Sequence, residues 1–211
     1  MHRHSIALRA GSSTFDEGLE FARYLDTAAE GFFRFMLGKQ VASVVATAYT
    51  RPDNDYSFQN VTFAELDDVI VGMASGYTAE QRRSFSAHPF KQAAGYRAMR
   101  TRAVSLLLAP LLQVLETIAD GDFYLQAIAT DQRVRGRGVG SALMNFMEER
   151  ACASGSSRLC LDVSAKNEGA RKMYEHRGMT VDSRWPKHLV IPGFRLLRMT
   201  KTLRVSGRGA G

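Results

Sequence analysis

Cysteine is scarce in this chain: two among 211 residues, Cys152 and Cys160. They stand at no metal or redox spacing, which argues against a disulfide scaffold and suits a reducing, cytoplasmic setting. Buried small hydrophobes are the expected role of both. The five histidines form no nucleophile–base or metal-ligand pattern, so no metal is expected. A long hydrophobic run is also missing. The longest, Val104 to Leu115, is interrupted by Ser105, Pro110 and Gln113 and is too short to span a bilayer. Met1 to Ala10 lacks the apolar core of a secretory signal, so no membrane partner is expected. No internal repeat is visible. A hydrophobic content of 45% and a charged content of 23% are ordinary, and the length suits one domain with a sizeable core.

Charge is present but uneven. The net charge is +7. Residues 1–80 carry 6 Lys/Arg against 11 Asp/Glu, while residues 81–211 carry 22 against 10. A basic half could meet nucleic acid, yet it has no aromatic interleaving and no nucleic-acid module. Attraction for a phosphate-rich cofactor is the simpler reading, and nucleic acid is not an expected partner.

Periodicity and turn chemistry outline the elements. Ser5 to Arg9 alternates as a short strand. Phe15 to Leu37 reads as helix, capped by Thr14 with Asp16 and Glu17 in its first turn, and with Gly31 and Gly38 as breaks. Lys39 to Thr50 is a further helix despite its valines. Phe58 to Glu65 and Val69 to Tyr77 flank Leu66-Asp67-Asp68 as an antiparallel hairpin. A long connection, about 78–120, has helical stretches at Thr78 to Ser86 and Ala93 to Ile118. Within it Leu106, Leu107, Leu108, Leu111, Leu112 and Leu115 make a helix apolar nearly all round, which must be buried. It either walls a pocket of its own domain or pairs with a copy in a homodimer. Phe123 to Thr130 and Arg158 to Val163 are strands joined through a helix at Val139 to Ala153, hence parallel. Asn167 to Arg177 is a helix stopped by Gly178. Thr180 to Lys187 and Phe194 to Leu203 close as an antiparallel pair, and 204–211 is expected to be a flexible tail.

The most informative stretch is Tyr124 to Met179. Its centre is Arg135-Gly136-Arg137-Gly138-Val139-Gly140, set between a strand and a helix. Glycines at alternate positions permit a tight turn with exposed amides, and the helix aims its unpaired N–H groups and positive dipole end into that turn. Such a place holds an anion, usually a phosphate. No Walker spacing occurs, and a Rossmann G-x-G-x-x-G counted from Gly136 ends on Ser141, a partial fit. The pattern [RQ]-x-x-G-x-[GA] is met in full by Arg135, Gly138 and Gly140. A surface turn with a helix cap is the plain alternative for the glycines taken alone.

After the helix come the strand Leu159-Cys160-Leu161-Asp162-Val163, then Asn167-Glu168-Gly169-Ala170-Arg171-Lys172-Met173-Tyr174, closed by Arg177-Gly178-Met179. With these residues the chain resembles the GNAT superfamily of N-acetyltransferases, whose signature is R-x-x-G-x-G followed by N-x-x-A-x-x-x-Y-x-x-x-G-F. Met179 stands where Phe is usual. The resemblance implies an α/β (α+β) GNAT fold, a mixed central sheet of about seven strands with a splayed parallel fourth and fifth pair flanked by helices. It implies one domain over 1–203 that carries the 78–120 insertion.

The resemblance also implies acetyl-CoA as co-substrate and direct transfer to a primary amine of a small molecule or peptide. The pyrophosphate would lie on Arg135, Gly136, Arg137, Gly138, Val139, Gly140 and Ser141. The pantetheine arm would pair with the strand edge at Ile128, Ala129 and Thr130. Asn167 would touch the cofactor, although Asn also serves well as a helix N-cap. Tyr174 would give its proton to the leaving thiolate, since a phenol with pKa near 10 is protonated at neutral pH; on an isolated helix a packed aromatic would be the better reading, but inside this motif the proton donor is favoured. The general base is not fixed by the motif. Asp122 and Glu65 are candidates, as is water held by Gln126 or Tyr124. The acidic first eighty residues favour a cationic acceptor. A non-catalytic acyl-CoA-binding or regulatory module on the same fold is the rival reading.

Overall fold

The computed structural model of the chain describes residues 5–86, 92, 117–185 and 195–203. Seven strands within them form one sheet: β1 (Ala7–Ala10), β2 (Val61–Leu66), β3 (Val69–Thr78), β4 (Asp122–Thr130), β5 (Arg158–Ser164), β6 (Thr180–Trp185) and β7 (Leu196–Thr202). Their spatial order is β1-β2-β3-β4-β5-β7-β6. β4 and β5 are parallel, and the other neighbours are antiparallel. The mixed sheet expected from sequence is thus observed. The helical stretch expected at 93–118, the leucine-rich Val104 to Leu115 and the tail at 204–211 fall outside the described residues, apart from Thr117 and Ile118.

The described helices are α1 (Phe15–Ala28), α2 (Phe32–Leu37), α3 (Val41–Tyr49), α4 (Ala79–Ser84), α5 (Val139–Ala153) and α6 (Glu168–His176). They cover both faces of the sheet. On one face α5 and α6 bury Leu143, Met144, Met147 and Tyr174 against Phe123, Leu125, Leu159, Leu161 and Met199. On the other, α1 and α3 bury Phe21, Tyr24, Leu25, Val45 and Tyr49 against Val61, Phe63 and Met73. Each fully buried side chain of this size stabilises by roughly 1.5–3 kcal/mol. That burial is why Val41–Tyr49 stays helical although its valines disfavour a helix.

The break expected at Gly31 divides Phe15 to Leu37 into two helices. Glu30 (φ +52°) and Gly31 (φ +82°) turn the chain between α1 and α2. The buried Asp26 carboxylate then accepts from the Arg34 amide at 2.8 Å and from its guanidinium at 2.8 and 3.0 Å, tying α2 to the end of α1. The expected strand from Phe58 begins at Val61. Ser57 caps a 3-10 turn at Phe58–Asn60 first, accepting from the Gln59 amide. At the hairpin tip Asp67 and Asp68 both have positive φ, 51° and 61°, the turn form that matches the twist of two antiparallel strands. α4 opens with a capping box: Thr78 Oγ1 accepts from the Gln81 amide at 3.1 Å, and Gln81 Oε1 from the Thr78 amide at 2.9 Å.

Candidate active site

β4 and β5 share only three registers, Asp122↔Arg158, Phe123↔Leu159 and Tyr124↔Cys160. Beyond them β4 keeps pairing with β3 as far as Thr130, and β5 keeps pairing with β7 as far as Ser164. The inner edges of Leu125–Thr130 and Leu161–Ser164 therefore lack a strand partner among the described residues. Bare edges of this kind are templates for an extended ligand. The cause lies in β4. Ser75 pairs with Ala127 and Gly76 with Leu125, which leaves Gln126 as an extra, bulged residue that bends its strand. The bulge also switches side-chain direction. Phe123 and Leu125 pack on the α5/α6 face before it, and Ile128 after it, while Ala127 and Ala129 pack on the α1/α3 face. Gly76 lets the strands approach here: a Cβ on it would meet Phe123 Cε1 at 2.6 Å and the Tyr124 carbonyl oxygen at 2.9 Å. Ile128, Ala129 and Thr130 all lie on the open edge.

The end of β4 leads directly into the glycine-rich turn. The Asp131 carboxylate accepts from the amide and the guanidinium of Arg133, interactions that hold its pKa below the usual carboxylate range. The 3-10 turn that follows, Gln132–Val134, delivers Arg135. Gly136 and Gly138 then take φ +75° and +86°, left-handed values that glycine adopts at little cost. Gly138 is the N-cap of α5 and contributes no side-chain cap. The amides of Gly138, Val139, Gly140 and Ser141 donate to no backbone acceptor among the described residues. Arg135, Arg137 and Ser141 are exposed. The Val139 side chain, 1% exposed, anchors the turn in the core, so only its amide faces outward.

α6 carries the second half of the motif. Asn167 Oδ1 accepts from the Ala170 amide at 3.1 Å, so the capping role is real, and the side-chain NH₂ remains for another contact. Tyr174 is 6% exposed, and its hydroxyl has no hydrogen-bond partner among the described residues. Burial pushes the phenol up to about 12. Arg171 lies one turn from Asn167 and one from Tyr174. Its Nη1 donates to the Ala165 carbonyl at 3.3 Å, and its buried Nε has no partner.

The two carboxylates considered as bases sit apart from the opening. Asp122, 3% exposed, begins β4 at the closed end of the β4/β5 pair. Arg158 forks onto it at 2.8 and 2.9 Å. Glu65 is on β2, paired with β1, where Arg9 Nε donates to it at 2.7 Å. A third carboxylate, Asp162, is nearer the opening and was not singled out from sequence. Arg198 forks onto it at 3.0 and 2.6 Å, and the Tyr124 hydroxyl donates to it at 3.1 Å. Tyr124 and Cys160 cluster with Tyr77 on the face opposite α5 and α6. Burial, reinforced by Asp162, raises Tyr124 well above an ordinary phenol. Burial pushes the Cys160 thiol up to about 12, so it is no thiolate nucleophile at neutral pH. Ser75 Oγ donates to Gln126 Oε1 at 3.0 Å, leaving the carboxamide NH₂ of the bulge residue free to donate.

Comparison with known proteins agrees with this geometry. Among solved structures, a crystal structure of an acetyltransferase is 24% identical with a TM-score of 0.64, covering 93% of this chain and 99% of that one. An N-acetyltransferase from Staphylococcus aureus Mu50 is 15% identical with a TM-score of 0.63, covering 92% and 100%. Ard1 from Thermoplasma volcanium is 13% identical with a TM-score of 0.56, covering 94% and 97%. At these identities the likeness is one of fold. The family model for the acetyltransferase (GNAT) family matches residues 40–179, from the start of α3 to the close of the α6 motif. A match of that extent places the chain in the GNAT family of acetyltransferases.

Proposed function

We propose that the protein transfers an acetyl group from acetyl-CoA to a primary amine of a small molecule or peptide, by direct attack and without a covalent enzyme intermediate. The observation that carries this reading is the opening between β4 and β5, which runs from the Gln126 bulge to the unpaired amides of the glycine turn. Coenzyme A suits the residues present: a flexible, amide-bearing arm for two bare strand edges, and a pyrophosphate for Gly138, Val139, Gly140 and Ser141 with Arg135 and Arg137 beside them. When bound, acetyl-CoA supplies the activated thioester. The chain does the rest. The β4 edge at Ile128, Ala129 and Thr130 orients the arm. A backbone N–H past the bulge polarises the carbonyl. Asn167 can donate through its free NH₂. Tyr174 keeps its proton at neutral pH and has no competing acceptor, which suits a donor to a departing thiolate. The un-ionised Cys160 thiol supports direct attack. The Arg158 fork on Asp122 and the Arg9 contact on Glu65 favour giving the amine proton to water near Gln126 and Tyr124.

The test is turnover of acetyl-CoA against a panel of amines, amino acids and peptides, with Tyr174→Phe beside the wild type. Free thiol and acetylated amine are expected in equal amounts. The variant should lose roughly 10²–10⁴ in rate with little change in acetyl-CoA affinity. Tight acetyl-CoA binding with no transfer to any amine would make the protein a binding module instead. A near-normal rate in the variant would return Tyr174 to packing alone.

A further inference from the structure

Arg177 stands three residues beyond Tyr174, at the end of α6, and reaches across to α5. Its Nη1 donates to Asn145 Oδ1 at 2.8 Å and its Nη2 to the Ser141 carbonyl at 3.1 Å. Ser141 and Asn145 are one turn apart on one face of α5, and Ser141 belongs to the turn whose amides are unpaired. The other end of the residue is fixed as well. The Arg177 amide donates to the Tyr174 carbonyl at 3.0 Å, and Gly178 (φ +81°) ends the helix there. The side chain is 19% exposed.

A residue placed for charge alone would close on the nearby carboxylate. Glu148 Oε1 forms a long ion pair with Nη1 at 3.6 Å, beyond hydrogen-bond range, and is buried without a hydrogen bond. Lys201 Nζ holds the other oxygen at 2.7 Å. The hydrogen bonds of the guanidinium go to two neutral acceptors on α5. A cation serving only the negative end of α6 would need neither of them. We infer that Arg177 is a positioning residue, which fixes the separation between the anion-holding turn that opens α5 and the phenol of Tyr174 on α6. The inference rests on the proposed roles of that turn and of Tyr174.

The test is a double-mutant cycle of Arg177→Met with Tyr174→Phe, with Arg177→Lys beside it. Arg177→Met is expected to lower kcat at saturating acetyl-CoA about 10-fold or more, and to lower it no further once Tyr174 is already Phe. Arg177→Lys keeps the charge but cannot bridge both acceptors, and is expected to lose as much as Arg177→Met. Hydrogen exchange of the free protein gives a readout apart from turnover. Amides in 142–145 and 174–179 are expected to lose protection together in Arg177→Met. Equal losses in both tyrosine backgrounds, full rescue by lysine, or faster exchange confined to α6 would each overturn the inference. Tyr174→Phe at wild-type rate is a different result: it overturns the reading of Tyr174 itself, and the positioning role with it.

Discussion

At Gly138 the nearest foreign atom to a would-be Cβ is Ile6 Cδ1 at 4.0 Å. Crowding therefore does not keep glycine there; the backbone angle does, together with the need for an anion to approach the amides. A β-branched residue at φ +86° stores strain of about 1–3 kcal/mol. Gly138→Val is expected to weaken acetyl-CoA binding by about tenfold or more, and calorimetry that finds wild-type affinity would move the pyrophosphate elsewhere. Asp122 makes the opposite kind of test. If its work is the ion pair with Arg158, Asp122→Asn should cost about 1–2 kcal/mol in a urea titration, modest because Arg158 is 38% exposed. The pH profile of kcat/KM should stay unchanged, and a displaced acid limb would make Asp122 the base after all. Asn167 shows how far one residue could be read from sequence. Capping and cofactor contact both suited it, and the cap observed uses its oxygen and spares its nitrogen.

Among the elements, the run from β4 through α6 was legible because its information is local. Glycines at required angles, a capping asparagine and an apolar helix face all act within a few residues. What escaped the sequence reading is carried by contacts between distant positions. The pairs Asp122–Arg158, Asp162–Arg198 and Ser141–Arg177 are each 36 residues apart, and no pattern along the chain couples them. The bulge at Gln126 was hidden for a related reason: the glycine that admits it is on the neighbouring strand, at Gly76. That gives an element-scale prediction. Gly76→Ala forces a methyl group against Phe123 and the Tyr124 carbonyl and should destabilise the protein by about 1–3 kcal/mol. Because the contact sits where β4 parts from β5, acetyl-CoA affinity should fall too. Wild-type affinity in the folded variant would detach the bulge from the cofactor site.

For the whole molecule, buried phenols tie stability to alkaline pH. Burial raises Tyr49, Tyr124 and Tyr174 above the ordinary value of 10, Tyr174 to about 12. Between those limits the unfolded chain gives up protons that the folded one retains. The contribution is complete below pH 10 and is lost as pH rises from 10 toward 12, roughly 3 kcal/mol for Tyr174 alone. Urea midpoints should fall clearly between pH 8 and pH 11, and a flat profile would contradict burial of these hydroxyls. The strand order β5-β7-β6 has a different consequence, one for biosynthesis. β6 leaves the ribosome before β7, yet among the described residues its only neighbour in the sheet is β7. Until β7 arrives, β6 has no strand to join, and β5 is bare along the edge that β7 will cover. The order in which the polypeptide is made is therefore not the order in which this half of the sheet can close, and a nascent chain carries an unprotected β5 edge for as long as that interval lasts.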